Sequence, residues 1–205
     1  GITQIAPEDL QYAKDMGLTI KLLVIAKKRP EGIEARVHPT LISRKHSLAS
    51  VKGVYNAVQL EADALGDILL VGQGAGQMAA ASGVFSDLIN LGIHNAVQDK
   101  TWIGDDPKEH CSLKVLSMDK IETEFYIRLM VMDRPGVLSR ITGILGACGI
   151  SIASVTQKVI SKNVPVPLVM LTHTARESAV RKALEKIGAL KEVKAKPVAI
   201  RMEQL

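Results

Sequence analysis

Apolar and polar positions follow different periods in the two halves of the chain. In the first half, "LTIKLLVIAKK" (18–28) and "IEARVHP" (33–39) read as strands rich in branched residues. Arg29-Pro30-Glu31-Gly32 between them is a turn signal, so the pair forms a hairpin. "GVYNAVQLEAD" (53–63) and "GDILLVG" (66–72) are two further strands, joined by a tight turn at Ala64-Leu65-Gly66. Ala6-Pro7-Glu8-Asp9 opens a helix, with proline in the first turn and acids near its positive end, and Gly17 ends it. A second helix follows the strands, from about residue 77 to 91. This half is mostly sheet, with a helix at each end.

Residues 98–122 lose periodicity and gather Asp, Gly, Pro and Lys, which marks a linker. Beyond it, "EFYIRLMVM" (124–132) is a strand, broken by Asp133-Arg134-Pro135-Gly136. Val137, Leu138, Ile141, Ile144 and Leu145 then recur at three- and four-residue steps, the signature of a helix over 137–148. The strand "ISIASVTQKVI" (150–160) follows Gly149, and "PLVMLTH" (167–173) follows that. A helix over 176–187 turns Ala179, Val180, Ala183, Leu184 and Ile187 inward, and "VKAKPVAIRM" (193–202) is the last strand. The order is βαββαβ, a ferredoxin-like arrangement with two helices on one sheet face. Pro197 within the last strand predicts an edge position. The fold class is α+β: a mixed-sheet portion over 1–97, then the βαββαβ domain over 123–205.

Composition narrows the function classes. Hydrophobic residues make up 47% of the 205 residues and aromatics only 3%, so the core is aliphatic and the chain folds. The early apolar run Leu22–Ala26 is too short to span a bilayer and no signal-peptide pattern precedes it, which predicts a cytoplasmic protein without a membrane partner. A formal charge of +5 comes from short basic clusters interleaved with acids, which describes a solvated surface rather than a nucleic-acid footprint. Cys111 and Cys148 lack CxxC companions and read as thiols; His110 beside Cys111 falls short of a metal site. The five histidines are scattered, and no Ser/His/Asp or Cys/His set can be read, so no catalytic residue is assigned. A chain that opens on Gly1 and runs straight into patterned sequence looks cut from something longer.

"LLVGQGAGQMAAASGVFSDLI" (69–89) passes from apolar strand through glycines to helix, as in dinucleotide-binding folds. Gln77 occupies the slot of the third small residue, and no acid closes a second strand some twenty residues on. Three readings stand: an independent dinucleotide site, a sharp strand-to-helix turn, or amides that complete a nucleotide site built mainly elsewhere.

"DMGLTIKLLVIAKK", "VHPTLISRKHSLASVKGVYNAVQLEAD" and the glycine segment, within residues 1–91, resemble the end of the catalytic and dimerisation region of homoserine dehydrogenase. Residues 124–203, with "YIRLMVMDRPGVLSRITGILGACGISIASVTQ", resemble an ACT domain, an amino-acid-sensing module. The first resemblance implies NAD(P)H-dependent reduction of aspartate semialdehyde to homoserine, on the route to threonine and methionine. It also places the nucleotide-binding domain and the catalytic lysine and aspartate upstream of Gly1. By that carry-over Gly74, Ala75 and Gly76 are the candidate cofactor contacts, while Ala80 stands where the family usually has threonine. NAD(P) is then a cofactor of the full-length enzyme, and the isolated chain is expected to bind none and to be inactive.

In the ACT portion, Asp133, Pro135, Gly136, Val137 and Leu138 form a strand–helix junction. Pro135 has no N–H, Gly136 admits a ligand to the backbone, and the amides of residues 136–138 face outward to receive an α-carboxylate. The Asp133 carboxylate suits an α-ammonium, and each charge-assisted bond is worth about 1.5–3 kcal/mol. The resemblance implies that Ser151, Ile152 and Ala153 of a neighbouring copy close the site in a homodimer or larger assembly, with threonine as the effector. The alternatives are an ACT domain used only for dimerisation, with Asp133 merely capping the helix, or an RNA-binding module of the same βαββαβ order. Aromatics for the latter occur only at Phe125 and Tyr126, early in the first strand.

Overall fold

The computed structural model describes residues 2–97, 114–157 and 164–205. Cys111, His110, most of the linker and the predicted strand end at 158–160 lie outside the described residues. The elements are α1 (Pro7–Asp15), β1 (Leu18–Arg29), β2 (Gly32–Ser43), α2 (Ser47–Ser50), β3 (Tyr55–Ala62), β4 (Gly66–Gln73) and α3 (Gln77–Val97). After them come β5 (Glu122–Met132), α4 (Val137–Ala147), β6 (Ile152–Gln157), β7 (Pro165–Thr172), β8 (Ala175–Arg176), α5 (Glu177–Gly188) and β9 (Val198–Met202). Two compact units result: Gly1–Arg44 with Leu113–Leu205, and Lys45–Ser112. The grouping by contact thus joins the first hairpin to the carboxy-terminal half, across the segment read as a linker.

In the first unit, β5, β6, β7 and β9 build the expected α+β, βαββαβ layer. They lie in the order β9-β5-β7-β6, and their pairings are antiparallel. The alternation along β5 sends Phe125, Ile127, Leu129 and Val131 to one face. There they meet Val137, Ile141 and Leu145 of α4, and Val180, Ala183 and Ile187 of α5, the residues whose helical spacing marked them as inward. The RNA-binding alternative loses its platform here, because Phe125 and Tyr126 are both fully buried and offer no ring face to a base.

The sheet does not stop at β9. β2 adds to it in parallel, Thr40 opposite Arg201 and Leu41 opposite Met202, and β1 pairs with β2 along its whole length. The expectation that Pro197 marks an edge is therefore corrected: β9 lies between β2 and β5. The proline is tolerated because the ladder begins one residue later, at Val198, where amide donors are required. Val193, expected in the same strand, forms an isolated bridge to Val131 instead.

α1 covers the opposite sheet face, where Tyr12 and Ala13 pack with Leu41, Tyr126, Val169 and Ile200. It is pinned there by Asp9, which is fully buried. The Asp9 carboxylate accepts from Arg128 Nε at 2.5 Å and Nη2 at 3.0 Å, from the Tyr126 hydroxyl at 2.8 Å and from the Ala6 amide at 2.9 Å. Burial opposes its ionisation, but the bonds from Arg128, Ala6 and Tyr126 outweigh that and hold its carboxyl below the usual range. Burial and the bond to Asp9 push the Tyr126 phenol upward, so it remains a donor.

The β1–β2 hairpin inverts the ordinary pattern. Glu34, Arg36, His38 and Thr40 of β2 point inward and are buried. Leu22 and Val24 of β1 and Val37 of β2 face solvent at 60%, 80% and 62% exposure. The second unit has the antiparallel β3–β4 pair and α3, and among its described residues only Ala49 is buried. Among the described residues no helix is long and apolar enough to cross a membrane.

Substituting Asp9→Asn leaves Arg128 beside a neutral amide in a largely buried site, and a loss of about 3–5 kcal/mol is expected in urea unfolding followed by circular dichroism. The folded carboxyl titrates below its ordinary 3.8, so its contribution is complete above that pH and disappears as pH falls through the folded value. The gap between wild type and variant should accordingly narrow in strong acid.

Candidate functional site

The junction between β5 and α4 is an open corner. Gly136 is the N-cap of α4 at φ +85°, a left-handed conformation that suits glycine, and no side chain caps the helix. A Cβ placed on Gly136 would meet no atom within 4 Å, so the space over its backbone is clear of the chain's own side chains. Asp133 therefore does not serve as the helix cap, and among the described residues its carboxylate has no ion-pair or hydrogen-bond partner. One expectation is corrected. The Val137 amide is not free, because it donates to the Arg134 carbonyl at 3.2 Å, and the Val137 side chain is buried in the core. A turn that reverses the chain in four residues brings carbonyl and amide together. Pro135, Gly136 and Leu138 remain exposed around the corner.

Ser151, Ile152 and Ala153 lie elsewhere in the same chain. Ile152 pairs opposite Thr172 and Met132 opposite Pro165, seven residues apart along β7, or about 23 Å. They start β6, the edge strand of the sheet, where a register irregularity between Ile152 and Ser154 leaves Ala153 exposed. One chain does not bring the two groups together.

In the second unit, β4 runs into α3 through Gly74, Ala75 and Gly76, all exposed. An independent dinucleotide fold needs a parallel neighbouring strand, but among the described residues β4 pairs with β3 alone, antiparallel. The Gly74 amide is engaged: it donates to the Val54 carbonyl at 2.9 Å, and a Cβ there would displace the Asn56 side-chain amide, 1.7 Å away. Any phosphate contact from this turn is thereby left to Ala75 and Gly76, the latter at φ +135°.

Sequence reasoning missed the charged layer under the hairpin. Arg36 contacts Glu34 at 2.6 Å and hydrogen-bonds to Glu203, which also takes Lys27 at 2.5 Å. His38 Nδ1 lies 3.0 Å from the Pro39 carbonyl, and Nε2 lies 3.4 Å from the Arg36 guanidinium, which fits a neutral ring protonated at Nδ1. Burial lowers the His38 pKa, the Pro39 carbonyl opposes this, Arg201 and Arg36 lower it further, and Glu177 offsets part. The alternation of "IEARVHP" could have suggested these residues share a face, but not that it is the inner one. Among the described residues no cluster of metal-ligating side chains occurs.

Comparison with known proteins bears on both units. The homoserine dehydrogenase family model matches residues 1–89, and the ACT domain model matches residues 125–192. The chain is 36% identical over 210 residues to a homoserine dehydrogenase of Neisseria gonorrhoeae and 37% identical over 203 residues to that of Helicobacter pylori. These alignments take in 100% and 99% of the chain. A crystal structure of a homoserine dehydrogenase from Thiobacillus denitrificans superposes on 99% of the chain with a TM-score of 0.86 at 39% identity. The chain belongs to the homoserine dehydrogenase family. It spans about half the length of the curated relatives it matches, 48% of the Neisseria protein and 47% of the Helicobacter one. Homoserine dehydrogenase and ACT segments thus fall where the sequence resemblances put them.

Gly136→Ala forces a side chain into the left-handed region and should cost about 1–2 kcal/mol, seen as a lower Tm. Gly136→Asn should cost less. Because the folded His38 pKa is depressed, its stabilising effect is present above the unfolded value of about 6.5 and lost as pH falls below it. Unfolding measured from pH 8 to 5 should show this loss, and His38→Gln should flatten it.

Proposed function

We infer that this chain supplies the dimer-forming and amino-acid-sensing portion of a homoserine dehydrogenase, whose full-length form reduces aspartate semialdehyde to homoserine with NAD(P)H. The observation that carries the sensing half is the open space above Gly136 beside the unpaired Asp133, within an ACT domain. A free amino acid presents a carboxylate and an ammonium one carbon apart. The Gly136 and Leu138 backbone offers the amide side and Asp133 the opposite charge. Threonine, small and able to hydrogen-bond through its hydroxyl, is the proposed effector.

The second half of the pocket comes from a second copy. β6 is an edge strand, and two copies paired antiparallel along it would carry each Ser151–Ala153 end toward the other's Gly136 corner. The apolar outer face of the β1–β2 hairpin, at the opposite side of the sheet from β6, offers a further association surface, since exposed aliphatic patches mark interaction surfaces. The nearly coreless second unit, with Leu70, Phe85 and Leu88 exposed, supports packing against further protein. Ala75 and Gly76 are proposed to approach the cofactor from that unit. One wall of a nucleotide site cannot hold hydride donor, acid/base group and aldehyde together, so the chain alone is inactive.

A thermal-shift screen of the twenty amino acids tests the sensing reading. An effector at 100 times its Kd should add about 2.7 kcal/mol, and Asp133→Asn should remove the shift. A flat screen would leave an ACT domain that serves dimerisation alone. NADPH oxidation with aspartate semialdehyde should be absent for this chain by itself; turnover would overturn the partial-site reading.

A further inference from the structure

The first unit contains a cleft of about 660 Å³ that none of the preceding functions uses. It lies between the β1–β2 turn and the segment leading into β5, whose 3-10 turn (Met118–Lys120) is held to α5 by Arg181 on Asp119. Lys114 and Leu116 of that segment hydrogen-bond to Ile33, each at 2.8 Å, which fixes the wall against the hairpin. The cleft sits at the Glu122 end of β5, ten residues and about 33 Å along the strand from Met132, beside the corner.

Its chemistry is balanced and partly unspent. Arg29 pairs with Glu34 at 3.1 Å, and Arg176 pairs with Glu122 at 3.1 Å. That leaves Glu31 and Lys120, whose side chains have no partner among the described residues and bring one charge of each sign to the same cleft. The Glu34 side chain is only 5% exposed, and its Oε1 makes no hydrogen bond although Arg36 Nη2 lies 2.6 Å away. Glu34 is thus held between Arg29 and Arg36 as the fixed anionic wall of the cleft. Equal numbers of cationic and anionic side chains in the lining disfavour a simple anion or cation. Leu116 and Ile121 add an apolar patch to the wall.

We propose that this cleft is a second ligand site, for a small zwitterion of the amino-acid class. The ligand's ammonium sits toward Glu31 and Glu34, its carboxylate toward Lys120 and Arg176, and the Thr174 hydroxyl is the neutral partner. Occupancy ties the segment that enters β5 to the turn of the β1–β2 hairpin. The site is independent of the Gly136 corner and does not rest on the sensing function proposed for it.

Calorimetric titration of the full chain with each of the twenty amino acids tests it, using wild type, Glu31→Gln, Lys120→Met and Asp133→Asn. Both Glu31 and Lys120 are exposed, and circular dichroism verifies that the variants fold. The expected result is a binding event weakened at least tenfold by either cleft substitution and unchanged by Asp133→Asn. The N-acetyl and methyl-ester derivatives of the bound amino acid, each lacking one charge, should bind at least tenfold more weakly. Binding that responds to Asp133→Asn alone would overturn the cleft site and leave the corner standing. A titration with no event for any amino acid would overturn both, and binding unmoved by all three substitutions would likewise exclude the cleft.

Discussion

A single buried carboxylate decides how this chain is organised. Asp9 lies on a helix that precedes the βαββαβ layer by more than a hundred residues, yet Arg128 and Tyr126 of β5 satisfy it. A carboxylate removed from water is tolerated only when its lone pairs are filled, and here two side chains and one amide fill them. With α1 fixed on the sheet, Leu18 and Ile20 at the start of β1 gain apolar cover from the same helix. The amino-terminal hairpin then becomes part of one continuous sheet with the ACT layer. A change felt at β9 or β5 has a direct physical route into the hairpin through backbone hydrogen bonds.

The same sheet carries two incompatible-looking surfaces. Under the hairpin, Glu34, Arg36 and Glu203 form a buried charged layer, while Leu22, Val24 and Val37 stand in solvent. Such a layer contributes little net stability compared with apolar packing, but it penalises any register that would leave one charge unpaired. A one-residue slip of β2 against β1 would place Val37 inside and Arg36 outside, so the ion pairs help fix the register. The outward aliphatic face is then left in solvent, as a surface open to association.

The two strand-to-helix turns share one principle, backbone amides at a helix start, yet they differ in what surrounds their glycines. Gly136 holds a left-handed conformation over open space, whereas a Cβ on Gly74 would meet the Asn56 side-chain amide. Similar glycine-rich letters therefore fold into turns with different surroundings. The start of β6 and the Gly136 corner lie about 23 Å apart along β7, so local folding within one chain does not bring them together.

The sequence by itself determined the local elements and the family. Helical spacing of Val137, Ile141 and Leu145, alternation along β5, and glycines after α1 and α4 identified helices, strands and the βαββαβ order, because these depend on contacts only a few residues apart. What lay beyond it were long-range pairings: β2 beside β9, Asp9 on Arg128, the inward face of "IEARVHP", and the capture of the Val137 amide by a turn. Pro197 shows the limit well, since the proline rule is local but whether β9 is an edge depends on which strand arrives beside it. Burial of a charge and the neighbour of a strand are properties of the assembled sheet, and no periodicity along the chain encodes which distant partner closes it.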